Sequence, residues 1–460
     1  MSAPDPSRGP APAHAFARRS VLSSGGAALA LRLLGRLVAY GFALVVARLA
    51  GPEAWGQFSL ALAVVSIGAI LAVTGFDTAM TKLAAASGTR VVALLRPVLA
   101  LTAVQGVLVG AGAWALAPQL AEHVFGDAAL TGPFRWAAVA VLPVAVQHVL
   151  ARTLNGLSYV ATTVLYQQVL RFVVPMGVWL VMALATWTSG TVASDVVISY
   201  VVGNALLLVP LGRSVRVAFA RSGPGHAPAL GSLRAVYALS LPLFLASSMG
   251  FVKGWADTIL VGVYLDQTQV GIYDIAFRVG SAIGLPLWAA SAIASPLIAA
   301  ASARGDDAGV ESAARAAAAM ATVLAAPAAV ALLAAPELFM GLFGAEFVAG
   351  AASLRWIALG YLVNAWAGVG GVAMTMAGLH KAYQVVVLGS TAFSIGANVV
   401  LLPRMGIEGA ALSTFLGLLV FNGITVLAVR RWAGIWVVCR LTDAVDFVRD
   451  PVHRLRSRFR

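Results

Sequence analysis

Residues 45–82 read VVARLAGPEAWGQFSLALAVVSIGAILAVTGFDTAMTK. A Gly51-Pro52 turn flanked by Arg48 and Glu53 is followed by nineteen residues, Phe58 to Phe76, without a charge. About twenty apolar residues are enough to cross a bilayer as a helix. A second apolar run, from about residue 24, leads into the same turn. The stretch therefore reads as the turn of a helical hairpin through a membrane. The long runs of Ala, Val, Leu and Gly lack the ten-residue alternation of a membrane barrel.

Working outward, the same pattern fills the chain. Of its 460 residues, 60% are hydrophobic and only 11% charged, with a mean hydropathy of +0.90. Soluble domains carry about 45–50% apolar and about 25% charged residues. This chain has too little polar sequence to cover a soluble surface of its size. A single cysteine, Cys439, excludes a disulfide scaffold. Apolar runs place twelve spans at 24–49, 57–81, 92–117, 134–157, 160–186, 193–212, 236–264, 270–300, 312–343, 350–377, 382–402 and 407–430. The expected fold is an all-α integral membrane bundle of about twelve helices.

Residues 1–23 are rich in Pro, Ala and polar residues and read as a disordered cytoplasmic arm. Arg18-Arg19 resemble a signal n-region, but the apolar run that follows has no clean cleavage site, so the first span stays. Residues 213–234, with Arg213, Arg216, Arg221 and Arg234 among Gly and Pro, read as a cytoplasmic linker. It separates a six-helix half at 24–212 from another at 235–430, and 431–460 form a basic tail. The tail's Val438, Leu441, Val445 and Val448 fall at helical spacing before Arg454, Arg456, Arg458 and Arg460. They predict an interfacial helix drawn to anionic inner-leaflet lipid.

The net charge of +13 follows the positive-inside rule. With the N-terminus in the cytoplasm and residues at span ends counted with the side they adjoin, twenty-two of the 31 Lys and Arg are inside, four (Arg48, Arg135, Arg355, Arg404) outside, and five (Arg32, Arg36, Arg171, Lys253, Arg278) lie deeper within spans. Both termini are then cytoplasmic, in a cytoplasmic membrane. No aromatic-basic groove accompanies the charge, so nucleic acid is not expected as a partner.

The two halves match each other. Gly56 aligns with Gly271, with Phe58 on Tyr273 and Ala61 on Ala276. Gly156 aligns with Gly378, and Ser199 and Gly203 with Ser413 and Gly417, at offsets of 215, 222 and 214. Six is even, so the repeat is parallel. Its pseudo-two-fold axis lies along the membrane normal, with a substrate site expected between the halves.

With Arg48, Gly51-Pro52, Trp55-Gly56 and Gly75-Phe76-Asp77 in place, the chain resembles the polysaccharide-transport flippases. These include the O-antigen flippases of the multidrug/oligosaccharidyl-lipid/polysaccharide exporter superfamily. VGIYDIAFRVG at 270–280 is similarly family-like, and the resemblance covers roughly residues 25–430. Ala50 stands for the usual Gly, and Trp55 for the usual Tyr or Phe. The resemblance implies a V-shaped alternating-access bundle that moves undecaprenyl-diphosphate-linked oligosaccharide outward, with a polysaccharide polymerase or ligase as a candidate partner.

A charge at the bilayer centre costs at least about 2.5–3.5 kcal/mol on insertion scales, so each one needs a reason. Arg32 and Arg36 share one face of span 1 at i, i+4. They are either cavity cations for a diphosphate or acidic sugar, or snorkelling topology anchors. Lys253 and Asp257 in span 7, and Asp274 and Arg278 in span 8, are opposite-charge i, i+4 pairs. Through the repeat, Lys253 would join Arg32 and Arg36 as a cation cluster, and Asp257 would be an ion-coupling residue. Arg171, after Gln167 and Gln168, is a further cavity cation or a packing residue, and His148 reads as a packing histidine rather than a proton shuttle. Asn204, Asn364, Asn398 and Asn422 read as interhelical amides, or, for Asn364 and Asn398, as sugar contacts. A drug–cation antiporter of the same superfamily would need an acidic site, whereas five basic residues stand here against Asp77, Asp257 and Asp274. A membrane polymerase or glycosyltransferase would need catalytic carboxylates on a large outside loop, or a metal site. No Asp-x-Asp, His/Cys cluster or P-loop occurs. The reading is a transporter with no covalent chemistry and no cofactor.

Overall fold

The computed structural model describes residues 13–88, 91–185, 187, 190–223, 233–376 and 378–449. The described residues form helices and no strand. In order they are α1 (Ala13–Val73), α2 (Phe76–Ser87), α3 (Val92–Gln119), α4 (Thr131–Gly156), α5 (Val160–Val164), α6 (Arg171–Leu184), α7 (Val192–Arg221), α8 (Leu233–Tyr264), α9 (Gln267–Ser281), α10 (Leu285–Ala303), α11 (Asp307–Ala334), α12 (Pro336–Gly341), α13 (Ala351–Ala367), α14 (Gly370–Met376), α15 (His380–Met405), α16 (Ile407–Ala433) and α17 (Leu441–Arg449).

Ten stretches among the described residues are long and apolar enough to cross a membrane. The first of them, Ala30–Val73, holds two spans, because the helix breaks at Gly51 (φ 80, ψ 174). That backbone conformation is open to glycine and closed to most residues. Helix α8, 32 residues long, covers the seventh expected span. The twelve expected crossings are thus all helical.

Two boundaries differ from the sequence reading. Among the described residues helix already runs from Ala13, not only from after residue 23. The stretch AHAFARRSVL holds no Gly or Pro, so nothing in it opposes helix; residues 1–12 lie outside the described part. Helix α7 runs on to Arg221, so Arg213, Arg216 and Arg221 ride on a helix instead of a loop. Arginine is a good helix former, and Ser222-Gly223-Pro224 supplies the stop. Residues 224–232 are not described.

The chain divides into two compact units. One comprises residues through Ala43, Ala61–Glu122 and Asp127–Ser248. Its centre is α4, whose Ala137, Ala138, Val141, Ala145 and Val149 are buried. Here Gly203 on α7 lies against Pro175 on α6, so closely that a Cβ would overlap it. The other unit comprises Leu44–Leu60, His123–Gly126 and Met249–Arg460. In it, Gly417 on α16 lies against Ser394 on α15 in the same way. Glycines paired by the sequence repeat thus do the same job within each unit.

The second unit also brings two repeat-related segments together. A Cβ on Gly56 would overlap the Gln267 carbonyl and crowd the Gly271 nitrogen. A Cβ on Gly271 would overlap the Pro52 carbonyl and crowd the Gly56 nitrogen. Gln267 stands four residues before Gly271 as Pro52 stands four before Gly56, so the contact is reciprocal, as a two-fold crossing requires. Gly56→Ala is expected to lower the thermal midpoint and the yield of folded protein, by the upper end of the about 1–3 kcal/mol of overpacking. Gly41, with nothing within 4 Å of its added Cβ, is the control. Gly41→Ala should leave the midpoint unchanged or raised, and equal midpoints for Gly56→Ala and wild type would sink the crossing.

Candidate functional site

Asp257 on α8 sits at a cavity of about 260 Å³ inside the second unit. The wall also carries Tyr361, Ser390, Thr391, Ser394 and Thr414. Both carboxylate oxygens of Asp257 are held. Asn398 Nδ2 donates to Oδ1 at 2.8 Å, and Thr414 Oγ1 lies 3.0 Å from Oδ2. Thr414 Oγ1 is also 3.1 Å from the Tyr273 hydroxyl and 3.1 Å from the Ala410 carbonyl. Asn398 is fully buried, and its Oδ1 has no hydrogen-bond donor. A buried acceptor without a donor is rare in native proteins. The Asp257 carboxylate is thus held by an amide and a hydroxyl, and Asn398 carries an unpartnered acceptor, Oδ1, on the same buried side chain. Such a carboxylate suits a hard monovalent cation or a proton; no group of three or more His, Cys, Asp or Glu for a metal occurs among the described residues.

The first unit carries the basic candidates. Arg32 and Arg36 are both exposed on α1. Gly35 between them is buried against span 5, where a Cβ would crowd Gln168. Seven residues further along α1, Phe42 meets Phe172 with ring centroids 5.7 Å apart. Span 1 thus runs alongside span 5 in the same sense. By the 100° step of an α-helix, Arg32 and Arg36 lie on one side of this contact, about 60° and 100° round from Gly35, and the exposed Leu33 and Leu37 lie on the far face. Span 5 is not a regular helix here. Leu165–Leu170 form a π-helical turn between α5 and α6, a feature that recurs at functional sites. It ends at Arg171, whose Nε donates to the Tyr200 hydroxyl and whose guanidinium lies over the Tyr200 and Phe172 rings. The π-turn and the Tyr200 anchor were not foreseen, because the sequence showed only a polar patch.

Of the five candidates, then, Arg32, Arg36 and Arg171 belong to one unit and Asp257 to the other. Lys253 lies on α8, and its side chain is outside the described residues. The Asp274–Arg278 pair is present, with 2.6 Å between Nε and Oδ2. Asp274 is 4% exposed and also accepts from Trp55 Nε1 at 2.9 Å and Ser59 Oγ at 3.1 Å. Arg278 stacks over Trp55 at 5.2 Å. This polar knot lies beside the Gly56–Gly271 crossing, and Ser59 is the repeat mate of Asp274. It reads as a brace for that crossing. Asn422 and Asn364 bond each other at 3.0 Å, as interhelical amides do.

Residues 45–349 match the sequence profile of a family described as "Polysaccharide biosynthesis protein". The chain belongs to this polysaccharide biosynthesis family. A relative in Haloferax volcanii, the "Probable low-salt glycan biosynthesis flippase Agl15", is 25% identical over 193 residues. The match covers 41% of this chain and 40% of the relative, so it spans about two fifths of that protein's length. Two solved structures are similar in fold. One, the lipid II flippase MurJ in an inward closed conformation, superposes with a TM-score of 0.70 at 12% identity, covering 93% of this chain and 90% of that one. The other, an inward-facing multidrug resistance MATE family transporter of the MOP superfamily, gives 0.67 at 15% identity, covering 88% and 98%. This member of the polysaccharide biosynthesis family is thus a multi-pass helical membrane protein with the fold of the MOP superfamily.

Proposed function

We infer that the protein moves a lipid-linked oligosaccharide from the cytoplasmic to the outer leaflet of a bacterial cytoplasmic membrane. The cargo is an undecaprenyl-diphosphate-linked unit of O-antigen, capsule or exopolysaccharide. Membership of a polysaccharide biosynthesis family over residues 45–349, on a fold shared with membrane transporters, carries this reading. Transport proceeds by alternating access between two parallel six-helix halves, with both termini in the cytoplasm. Arg32, Arg36, Arg171 and Lys253 hold the diphosphate by charge-assisted hydrogen bonds. Asp257, held by Asn398 and Thr414, takes the coupling ion. No covalent step is needed, so the protein is not an enzyme. Anionic inner-leaflet lipid attracts the basic tail, and a polysaccharide polymerase or ligase receives the product.

The direct test is reconstitution in proteoliposomes with undecaprenyl-diphosphate oligosaccharide on one leaflet. Its appearance on the other leaflet, faster than in protein-free vesicles, is the expected result. Efflux of cationic drugs without any glycolipid movement would favour the antiporter reading instead.

A further inference from the structure

Helix α16 stops at Gly434, which takes φ 72 and bonds back to the Arg430 carbonyl at 3.2 Å. The chain then runs without helix to Arg440 and buries every second side chain. Ile435, Val437 and Cys439 are 6%, 0% and 7% exposed, while Trp436 and Arg440 face outward. An alternation of two is the signature of an extended segment laid in a groove.

What it covers is a broken span. Span 10 is interrupted between α13 and α14, where Gly368 takes φ 75 and ψ −145. A break leaves backbone carbonyls without helical partners, and in a membrane protein these must be satisfied by neighbours. Cys439 N–H donates to the Trp366 carbonyl at 3.1 Å. Thr322 on α11 reaches the Ala365 carbonyl at 3.3 Å. Val437 is packed close to both Gly368 and Gly370. The C-terminal segment thus supplies one of the hydrogen bonds at the break, and α11 another.

Helix α17 fastens the segment to α11. Arg315 binds Asp443 through Nη2 at 2.7 Å and Nε at 3.0 Å, and Arg440 N–H caps the same carboxylate at 3.1 Å. Glu311 accepts from Trp436 N–H at 3.0 Å. Ala444 and Phe447 pack on Ala318, Ala319 and Cys439. Yet α17 does not fill its seat. A cavity of about 550 Å³ lies beneath it, between α10 and α11, with Ala301, Met320, Arg315, Asp443 and Phe447 on its walls. An element held by one ion pair and few apolar side chains belongs to the parts of a protein that open first.

We propose that Ile435–Arg449 is a releasable strap. Seated, it holds the break in span 10 closed. Released, it frees α14 to pivot at Gly368 as the transporter cycles. The assignment rests on the transport reading above.

The chain's only cysteine lies inside the strap, so its reactivity reports release. Burial pushes the Cys439 thiol above its ordinary pKa, and only the thiolate reacts with maleimide. In membranes, Asp443→Ala and Arg315→Ala should each raise the labelling rate at least about tenfold, the equivalent of 1.4 kcal/mol. The charge-swapped pair Arg315→Asp with Asp443→Arg should return it toward wild type. Labelling should also quicken in proteoliposomes that are turning over lipid-linked oligosaccharide. The second arm is Thr322→Cys: Thr322 reaches the Ala365 carbonyl, next to the Trp366 carbonyl that Cys439 N–H holds. Joining it to Cys439 with an added oxidant should cut transport at least about tenfold, and a reductant should restore it. Unchanged labelling in Asp443→Ala would overturn the clamp. Labelling indifferent to turnover, or full transport by the cross-linked protein, would make the strap a fixed brace and overturn its release. If wild-type protein moves no glycolipid, the transport reading falls, and the Asp443→Ala and Arg315→Ala rates still decide whether the clamp seats the strap.

Discussion

Asp257→Asn is expected to abolish ion-dependent transport while the protein still inserts and purifies normally. The substitution keeps the shape of the side chain and its reach to Asn398 and Thr414, which stand 2.8 and 3.0 Å from the carboxylate. It removes the charge that would attract a cation or hold a proton. An amide also replaces one acceptor oxygen by a donor, so Thr414 Oγ1 must accept where it donated to the carboxylate, and the charge-assisted bonds are lost. Hydrogen bonds to charged groups are worth about 1.5–3 kcal/mol, which corresponds to roughly tenfold to a hundredfold in ion affinity. Thr414→Val should weaken the ion dependence by about tenfold for the same reason, and Thr414→Ser should keep it. The measurement is the flipping rate in proteoliposomes against sodium concentration and against pH. Dependence on sodium at fixed pH would name sodium, and dependence on pH alone would name the proton. Full transport by Asp257→Asn across both titrations would remove Asp257 from any coupling role.

The framework of this site was legible in the sequence for simple reasons. Runs of about twenty apolar residues have few alternatives to a spanning helix, so α3, α4 and α15 fall almost where the composition put them. Gly56 and Gly271 were legible as repeat mates, and they meet because only a residue without a Cβ permits so close a crossing. Three features were hidden. The partners of Asp257 come from α15 and α16, 141 and 157 residues away in sequence, and a single Thr in an apolar helix gives no periodic signal. The π-turn at Leu165–Leu170 inserts one residue per turn, which shifts a face without altering composition. The helical spacing of Val438, Leu441, Val445 and Val448 predicts one helix; helix runs from Leu441 to Arg449, but residues before it are extended and the buried side chains are others. In the structure Val445 and Val448 are 40% and 64% exposed, the side chain of Leu441 is outside the described residues, and burial falls instead on Ile435, Val437 and Cys439. The Gly368-Val369-Gly370-Gly371 cluster was the visible sign that span 10 is broken there.

Arg36→Gln is expected to abolish glycan export at unchanged abundance. Arg36 and Arg32 are exposed beside the buried contact of Gly35 with span 5, and span 5 carries Arg171 one turn beyond Gln168. A diphosphate held there would meet guanidinium groups from two helices. Each lost charge-assisted bond should weaken binding by about 1.5–3 kcal/mol, roughly tenfold to a hundredfold. Arg36→Lys should retain more activity than Arg36→Gln, because an ammonium keeps the charge but loses the planar fork. Lys253→Met, on the other half of the repeat, should behave like Arg36→Gln. The competing account makes these residues positive-inside anchors, and it predicts a different pattern. Neutral substitutions would then change orientation or abundance, with transport per folded molecule intact. Arg171 separates the two accounts further. It lies among Tyr200 and Phe172, with its Nε on the Tyr200 hydroxyl, and so is not placed to set topology. Arg171→Gln should therefore lower transport without changing reporter orientation. Export per inserted molecule that stays at the wild-type level in Arg36→Gln, Lys253→Met and Arg171→Gln alike would end the role of these cations in holding the headgroup. Family membership would be untouched, since the match over residues 45–349 does not depend on them.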